Sequence, residues 1–315
     1  MDTYQLEKAG QYVPDTEGPR AAMTYRQHIV ALYAGYNLTF DKWAGRLGAR
    51  MERTWNDANG EERDADTYSF RNRQFNVVPY ASLTYKPAER HNLSLSYTQR
   101  IQRPNIERLS PAIDDSDPLV IIYGNPDLKP ESSHNFSLSA EYMKGRHNVT
   151  VTGFYNIVDD RITTAWNQAL GGQVYTNMSR LQVAGVDANA SGRYPCGVSW
   201  RLSYAYTYEH IRKGEPMLSS TRPHTATARL AYDKDWKHYG LSVALSGRWL
   251  SKVTTDVYTE ITSYEQTERQ TYPGYTIWKL SLTQRIWRGV NVTLAVDNLF
   301  DYRPRYYYSN SPSTT

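Results

Sequence analysis

The stretch RLSYAYTY, Arg201–Tyr208, decides the fold. Leu202, Tyr204, Tyr206 and Tyr208 alternate with Arg201, Ser203, Ala205 and Thr207. Successive side chains of a strand point to opposite sides of a sheet, so a period of two means a strand with one apolar and one polar face. The same rhythm recurs on both sides of this stretch. Leu93, Leu95 and Tyr97 alternate with Asn92, Ser94, Ser96 and Thr98. Phe136, Leu138, Ala140 and Tyr142 alternate with Ser137, Ser139 and Glu141. Leu241, Val243, Leu245, Gly247 and Trp249 alternate with Ser242, Ala244, Ser246 and Arg248, and Val290, Val292, Leu294 and Val296 with Asn291, Thr293, Ala295 and Asp297. No helical stripe of useful length competes with this pattern, so the chain reads as all-β.

The connections carry the second signal. Short ones fall around Asp41-Lys42, Lys86 to His91, Gly145-Arg146, Tyr194 to Gly197, Asp233 to Lys237 and Arg288-Gly289. Long polar ones run from Asn56 to Arg73, Pro104 to Glu131, Asp159 to Val174, His210 to Thr221 and Ser251 to Pro273. Short and long alternate in strict order. In an antiparallel meander alternate connections lie at opposite ends, so one end has tight turns and the other long loops. That asymmetry marks outer-membrane barrels. The strands between read as about 12 to 16 residues each, longer than the ~5 to 6 of soluble sheets and enough to cross a bilayer with overhang. About twelve strands fit between Thr24 and Asp301, with no further complete strand after Tyr308. The expected architecture is an antiparallel, up-and-down transmembrane β-barrel. Residues 1–23 read as a partial N-terminal segment and 24–315 as barrel.

Composition agrees. The 315 residues have a mean hydropathy of -0.68 and 40% hydrophobic content. There is no apolar run long enough for a transmembrane helix. A barrel does not need one, because only one face of each strand meets lipid and the other faces a polar lumen. Trp43, Trp200, Trp236 and Trp287 lie near the short turns, and Trp55, Trp166, Trp249 and Trp278 near the long loops. Interfacial girdles place aromatics this way, so Trp43, Trp55, Trp200, Trp236, Trp249, Trp278 and Trp287 are read as membrane-interface residues. A packed soluble core is the competing reading. The net charge of +4 is small, and basic residues are interspersed with acidic ones, which excludes a nucleic-acid stripe. A lone Cys196 excludes an intrachain disulfide. The opening MDTYQLEKAG lacks the basic and apolar regions of a signal peptide.

Chemistry-bearing patterns are sparse. Neither a nucleophile elbow nor HExxH spacing occurs, and the proximity of Ser219, Ser220 and His224 in sequence is not a triad. An enzyme is not expected. The histidines 28, 91, 134, 147, 210, 224 and 238 are dispersed without ligand spacing, so neither a metal nor a cofactor is expected. Asp114, Asp115 and Asp117 lack an EF-hand frame and read as a solvated acidic loop before a calcium site. In the long loops, Tyr123, Asn125, Trp166, Tyr175, Tyr258, Tyr264 and Tyr272 are the candidates for contacting a ligand, since aromatic faces beside polar groups can stack on sugars or chelates. Loop packing is the alternative role for each.

RIQRPNIERLSP (Arg100–Pro111), YGNPDLKPE (Tyr123–Glu131) and VDNLFDYRPRYYY (Val296–Tyr308) follow one another in this order, after FNVVPYASLTYK (Phe75–Lys86). Together they resemble the C-terminal half of TonB-dependent outer-membrane receptors, over the chain from about Thr24 onward. The residues that carry the resemblance are Arg103, Pro104, Gly124, Asn125, Pro126, Leu128, Pro130, Glu131, Asn298, Leu299, Phe300 and Asp301. It implies a barrel of about 22 strands around a plug, energised through TonB. The cargo is a scarce nutrient: siderophore-iron, haem, cobalamin, glycan or peptide. The expected partners are outer-membrane lipid, the TonB complex through the plug region and, for some cargoes, a surface lipoprotein. No plug, about half the strands and no final aromatic strand are recognisable here, so the chain reads as a C-terminal barrel portion, not expected to transport alone. The loop from Pro104 to Gly124 holds no histidine, which counts against haem. A passive porin of 12–14 strands and a soluble β-protein are the alternatives. Within GNPDLKPE, Pro126 and Pro130 bias Asn125 and Lys129 toward extended geometry, so the motif reads as a device that starts the next strand in one register.

Overall fold

The computed structural model describes residues 4–6, 12–14, 22–61, 67–111, 113–117, 120–178, 180–210, 221–258, 267–287 and 289–303. Twelve strands form one sheet. They are β1 (Ala22–Phe40), β2 (Trp43–Glu61), β3 (Thr67–Ala88) and β4 (His91–Gln102). After a long loop come β5 (Glu131–Lys144), β6 (His147–Asp159), β7 (Leu181–Arg193) and β8 (Val198–His210). The last four are β9 (His224–Asp235), β10 (Gly240–Leu250), β11 (Tyr275–Trp287) and β12 (Val290–Val296). Sheet order equals chain order and every pairing is antiparallel, as the expected meander requires.

Register sorts the side chains by face. Leu95 lies opposite Leu138, Leu138 opposite Gly153, Gly153 opposite Val186, and Val186 opposite Tyr206. This face keeps its large apolar side chains exposed: Leu95, Leu138, Leu202 and Leu294 each present more than half their surface. The opposite face is polar. Ser94 lies opposite Ser139, and Ser139 opposite Thr152. Hydroxyls there bond across strands, with Thr84 Oγ1 3.2 Å from Ser94 Oγ and Thr152 Oγ1 donating to Ser139 Oγ at 3.0 Å. A sheet that exposes its apolar face and satisfies its polar one suits lipid outside and a lumen inside.

Neighbouring hairpins are offset in one constant sense. Trp43, the first residue of β2, faces Tyr85, short of the end of β3. His91 faces Tyr142, His147 faces Gly192, Val198 faces Tyr232 and Gly240 faces Arg285, always short of the neighbour's end. Such a stagger is what closing a sheet into a barrel demands. The tight turns use left-handed residues at Asp41, Gly145, Gly197 and Gly289, with φ of 47°, 62°, 99° and 77°. Aromatics gather beside them: Trp43 stacks on Tyr85 at 4.2 Å, His91 meets Tyr142 at 4.9 Å, and His147 meets Tyr194 at 5.1 Å and Trp200 at 6.3 Å. His91 and His147 thus belong to this aromatic row.

Several expectations need correction. The polar stretch from Asn56 to Arg73 is mostly strand: Asn56 faces Asn72, and only residues 62–66 lie outside the described ones. Strand lengths of 12 to 16 therefore fail for β1, β2 and β3, which have 19, 19 and 22 residues, and for β10 and β12, which have 11 and 7. Polarity misled because the inner face of these strands is itself polar. Trp55, expected at a strand end, sits inside β2 opposite Arg73. The stretches Asp159–Val174 and Ser251–Pro273 are not plain loops either. They hold the hairpins Arg161–Asn167 with Gly172–Met178, and Val253–Tyr258 with Thr267–Tyr272. The tract after Pro104 folds as helix α1 (Ile106–Leu109) and the strands Ile113–Asp117 and Val120–Tyr123.

Candidate functional site: the clasped loop end

The long-loop end is built on the inner face of β2 and β3. Glu52, on β2, is 1% exposed and sits between two arginines. Arg50 Nε donates to its Oε2 at 2.9 Å, and Arg103 Nε donates to its Oε1 at 2.7 Å. Arg103 comes from the loop after β4, so this buried carboxylate fastens the start of that loop to the wall. Pro104 follows, and Asn105 caps α1 by accepting from Arg108 N at 3.2 Å.

GNPDLKPE closes the same loop. Asn72 Nδ2, on β3, donates to the carbonyls of Pro126 at 2.8 Å and Leu128 at 3.2 Å. Asn125 accepts from Asp127 N at 2.9 Å, forming an Asx turn, and its Nδ2 donates to Tyr175 O at 3.0 Å. Asn125 N donates to Arg108 O at 2.7 Å. Lys129 N donates to Asn177 Oδ1 at 2.9 Å, and Glu131 Oε1 accepts from Ile162 N at 2.9 Å. Gly124 must be glycine: a Cβ there would lie 1.7 Å from Ser110 O. The motif therefore ties α1, β3 and the 161–178 hairpin together, and Leu109 and Leu128 bury completely beneath it against Ala58, Phe70 and Ile162. Asp159 binds Arg180 at 2.7 Å beside this hairpin, pushing that guanidinium above its ordinary value through the bond first and its charge second.

A groove of about 670 Å³ runs beside the clasp. It opens where the pairing of β3 with β4 stops, beside Pro79. Proline cannot donate to a ladder, and the pairing of β3 with β4 begins only at the next residue, Tyr80. Above it, among the described residues, β3 pairs with β2 alone. Asn72, Gln74 and Asn76 line the groove from β3, and Pro126, Leu128 and Ser132 face them. Gln74 Nε2 donates to Asn72 Oδ1 at 2.6 Å, which leaves Gln74 Oε1 and Asn76 Nδ2 buried without a protein partner. One acceptor and one donor, on the same face of one strand, suit a neutral polar group such as an amide or hydroxyl. These three amides escaped the sequence reading because they fell within or beside the polar stretch taken as loop. Their alternation with Arg73, Phe75 and Val77 was the available signal.

Six of the seven candidate ligand residues are described, and they fall on or beside two different loop sheets. Tyr123, Asn125, Trp166 and Tyr175 belong to the clasp and its four-stranded loop sheet. Tyr123 Oη donates to Leu170 O at 3.1 Å, Tyr175 packs on the buried leucines under Arg108 at 5.6 Å, and the amide of Asn125 is used within the clasp. Trp166 is 36% exposed, opposite Gln173. Tyr272 is buried in the other hairpin, where it faces Val253, and Tyr258 begins that hairpin's tip. Tyr264 lies outside the described residues. At the third motif, Asn298 Oδ1 accepts from Tyr302 N at 2.9 Å, Tyr302 stacks on Tyr275 at 4.7 Å, and Phe300 meets Trp278 edge-on at 6.4 Å.

Comparisons with known proteins agree with this geometry. The family model described as TonB dependent receptor-like, beta-barrel matches residues 2–299. The iron-regulated outer membrane virulence protein of Vibrio cholerae serotype O1 is 27% identical over 205 residues, which is 59% of this chain and 29% of that protein. Among solved structures, the FrpB iron transporter from Neisseria meningitidis superposes with a TM-score of 0.68 at 18% identity, covering 89% of this chain and 42% of that one. The ferric yersiniabactin uptake receptor FyuA from Yersinia pestis gives 0.65 at 16% identity, covering 94% and 44%. The chain thus spans less than half the length of these relatives. It belongs to the TonB-dependent receptor β-barrel family, whose members are outer-membrane proteins.

Proposed function

We propose that the chain supplies barrel wall and external recognition loops to an outer-membrane receptor that imports a ferric chelate with energy drawn through TonB. The observation that carries this reading is the asymmetry of the two ends. One end has tight turns, and the other has the 103–131 loop and the 161–178 hairpin fastened to the inner wall and to each other residue by residue. A passive pore gains nothing from such fastening, whereas a receptor loses less entropy on binding when its loops are already ordered. The iron chelate is supported by the names of the relatives: one is iron-regulated, and others are named for ferric yersiniabactin and for ferric catecholate. Within the groove, Gln74 and Asn76 offer hydrogen bonds to a passing ligand or to a plug, and the exposed Trp166 offers a stacking face. The family is one of receptors, and no described residue is assigned a chemical step.

The test is uptake by the full-length protein in a host stripped of its own ferric-chelate receptors. Radio-iron presented as siderophore complexes should accumulate, and deleting TonB should abolish accumulation. Residues 1–315 alone should give none. Iron entry indifferent to TonB would return the porin reading, and uptake of glycan or peptide instead would replace the cargo and add a surface lipoprotein as partner.

A further inference from the structure

We propose that the outward face of β9 holds a specific site for one acyl chain of a membrane lipid, drawn from the leaflet at the long-loop end. The observation is a trough in an otherwise bulky surface. Two successive outward residues of β9 are alanines. Ala226 lies opposite Tyr204 on β8 and Trp249 on β10, and Ala228 lies opposite Leu202 and Gly247. Leu202 and Tyr204 therefore form one wall. Gly247 faces Trp278 of β11, and a Cβ at Gly247 would lie 2.6 Å from the indole. The ring can thus lie flat across the glycine, and with Trp249 it forms the other wall. The resulting depression has a volume of about 370 Å³. The depression extends past the wall of Leu202 and Tyr204, over Ala188 and Ala190 of β7, to Val149 of β6, whereas the outward positions on β4 and β5 carry Leu93, Leu95, Phe136 and Leu138, which would fill such a space.

The trough has a polar head. His224 is the next outward residue of β9 toward the long loops. Its ring contacts Tyr206 at 4.8 Å and Trp249 at 6.4 Å, and its Nδ1 is 2.7 Å from Tyr204 Oη. With Nδ1 engaged, Nε2 is the nitrogen left to meet a phosphate or ester oxygen. The occupant follows from continuity with the lipid-facing surface. Lipid is as apolar as the wall, so no hydrophobic gain selects a site there. Selection comes from dispersion contacts, which a depression loses unless a chain fills it. A chain seated between the two walls, with its headgroup at His224, satisfies both parts.

The experiment is lipid retention by the full-length receptor. Protein stripped by detergent is exposed to vesicles of phosphatidylethanolamine, repurified and weighed by native mass spectrometry. Wild type should retain lipid saturably. Ala228→Phe, which fills the floor, should lower retention at least tenfold, and His224→Ala should lower it severalfold. Leu95→Phe, on the same face of β4, should leave it unchanged. Wild-type retention that never saturates overturns the proposal whether or not Ala228→Phe folds. Equal retention by wild type and a folded Ala228→Phe also overturns it.

Discussion

The two ends of this sheet are held by different physics. At the tight-turn end the chain reverses within a few residues, and at two of the turns the glycine itself touches nothing, although Gly197 is held close to Asp233 O. Gly145 and Gly289 adopt left-handed φ with nothing within 4 Å of where a Cβ would sit. Adjacent turns share backbone bonds, such as Lys86 N to Lys42 O at 2.8 Å and Met143 N to Arg90 O at 2.9 Å, and a few exposed side-chain contacts, such as Lys42 Nζ to Pro87 O at 3.1 Å and Arg285 Nη2 to Asp235 Oδ1 at 3.0 Å. At the loop end the fastening comes from side chains held in the wall, not from strand-to-strand backbone bonds. Asn72 reaches Pro126 and Leu128 across 54 and 56 positions, and Arg103 reaches Glu52 across 51. Gly124 is required by contact rather than by φ, being pressed against Ser110 O. A turn such as that at Gly145 or Gly289 needs only a permitted backbone angle. A recognition loop needs a fixed position, and that takes named partners from several elements.

The largest expected effect breaks the clasp. Gly124→Ala sets a methyl into the backbone of Ser110, and a backbone neighbour cannot step aside as a side chain can. The expected cost is about 3 kcal/mol or more, concentrated in the loop end. Hydrogen exchange on the full-length receptor should show the 103–130 segment losing protection while β4 and β5 keep theirs. Uniform loss along both strands would mean the clasp is not a separate unit.

Next comes Glu52→Ala. Removing one partner of a buried ion pair leaves unbalanced charge, at about 3–5 kcal/mol for full burial. The Arg50 and Arg103 side chains keep 40% and 30% of their exposure, so the low end applies. Arg103→Ala should lose less, because Arg50 still neutralises the carboxylate, and the double variant should be milder than the sum. Equilibrium unfolding of the four proteins in detergent measures this coupling. Strict additivity would show that Arg103 and Glu52 do not fasten the loop to the wall.

The same contrast explains what could be read from the sequence. Alternation gave the strand count and the tight turns, because both are local: Leu202 to Tyr208 carries its own period, and Gly145 its own angle. The loop end was only partly legible. Polar residues from Asn56 to Arg73 meant loop under a rule that equates polarity with water, but here polarity marks the inner face of a tall hairpin. The partners of GNPDLKPE could not be read at all, since nothing local in Asn125 or Glu131 names Tyr175 or Ile162. The motif was expected to start β5, and β5 does start at Glu131. Its hydrogen bonds show a second role, which is to hold three other elements in place.

The smallest expected effect tests the other side of the comparison. Gly145→Ala puts a Cβ into open space at φ of 62°. The only cost is the left-handed backbone itself, about 1 kcal/mol. Because nothing packs against the Gly145 position, the cost should appear as faster exchange at residues 143–148 and nowhere else, with uptake of cargo unaltered. Gly145→Asn should recover part of it, since Asn tolerates this region better than Ala. If Gly145→Ala instead disturbed the loop end or matched Gly124→Ala in magnitude, the two ends would be coupled through the strands. The barrel would then move as one body, and ordered loops would be a property of the whole wall rather than of the clasp.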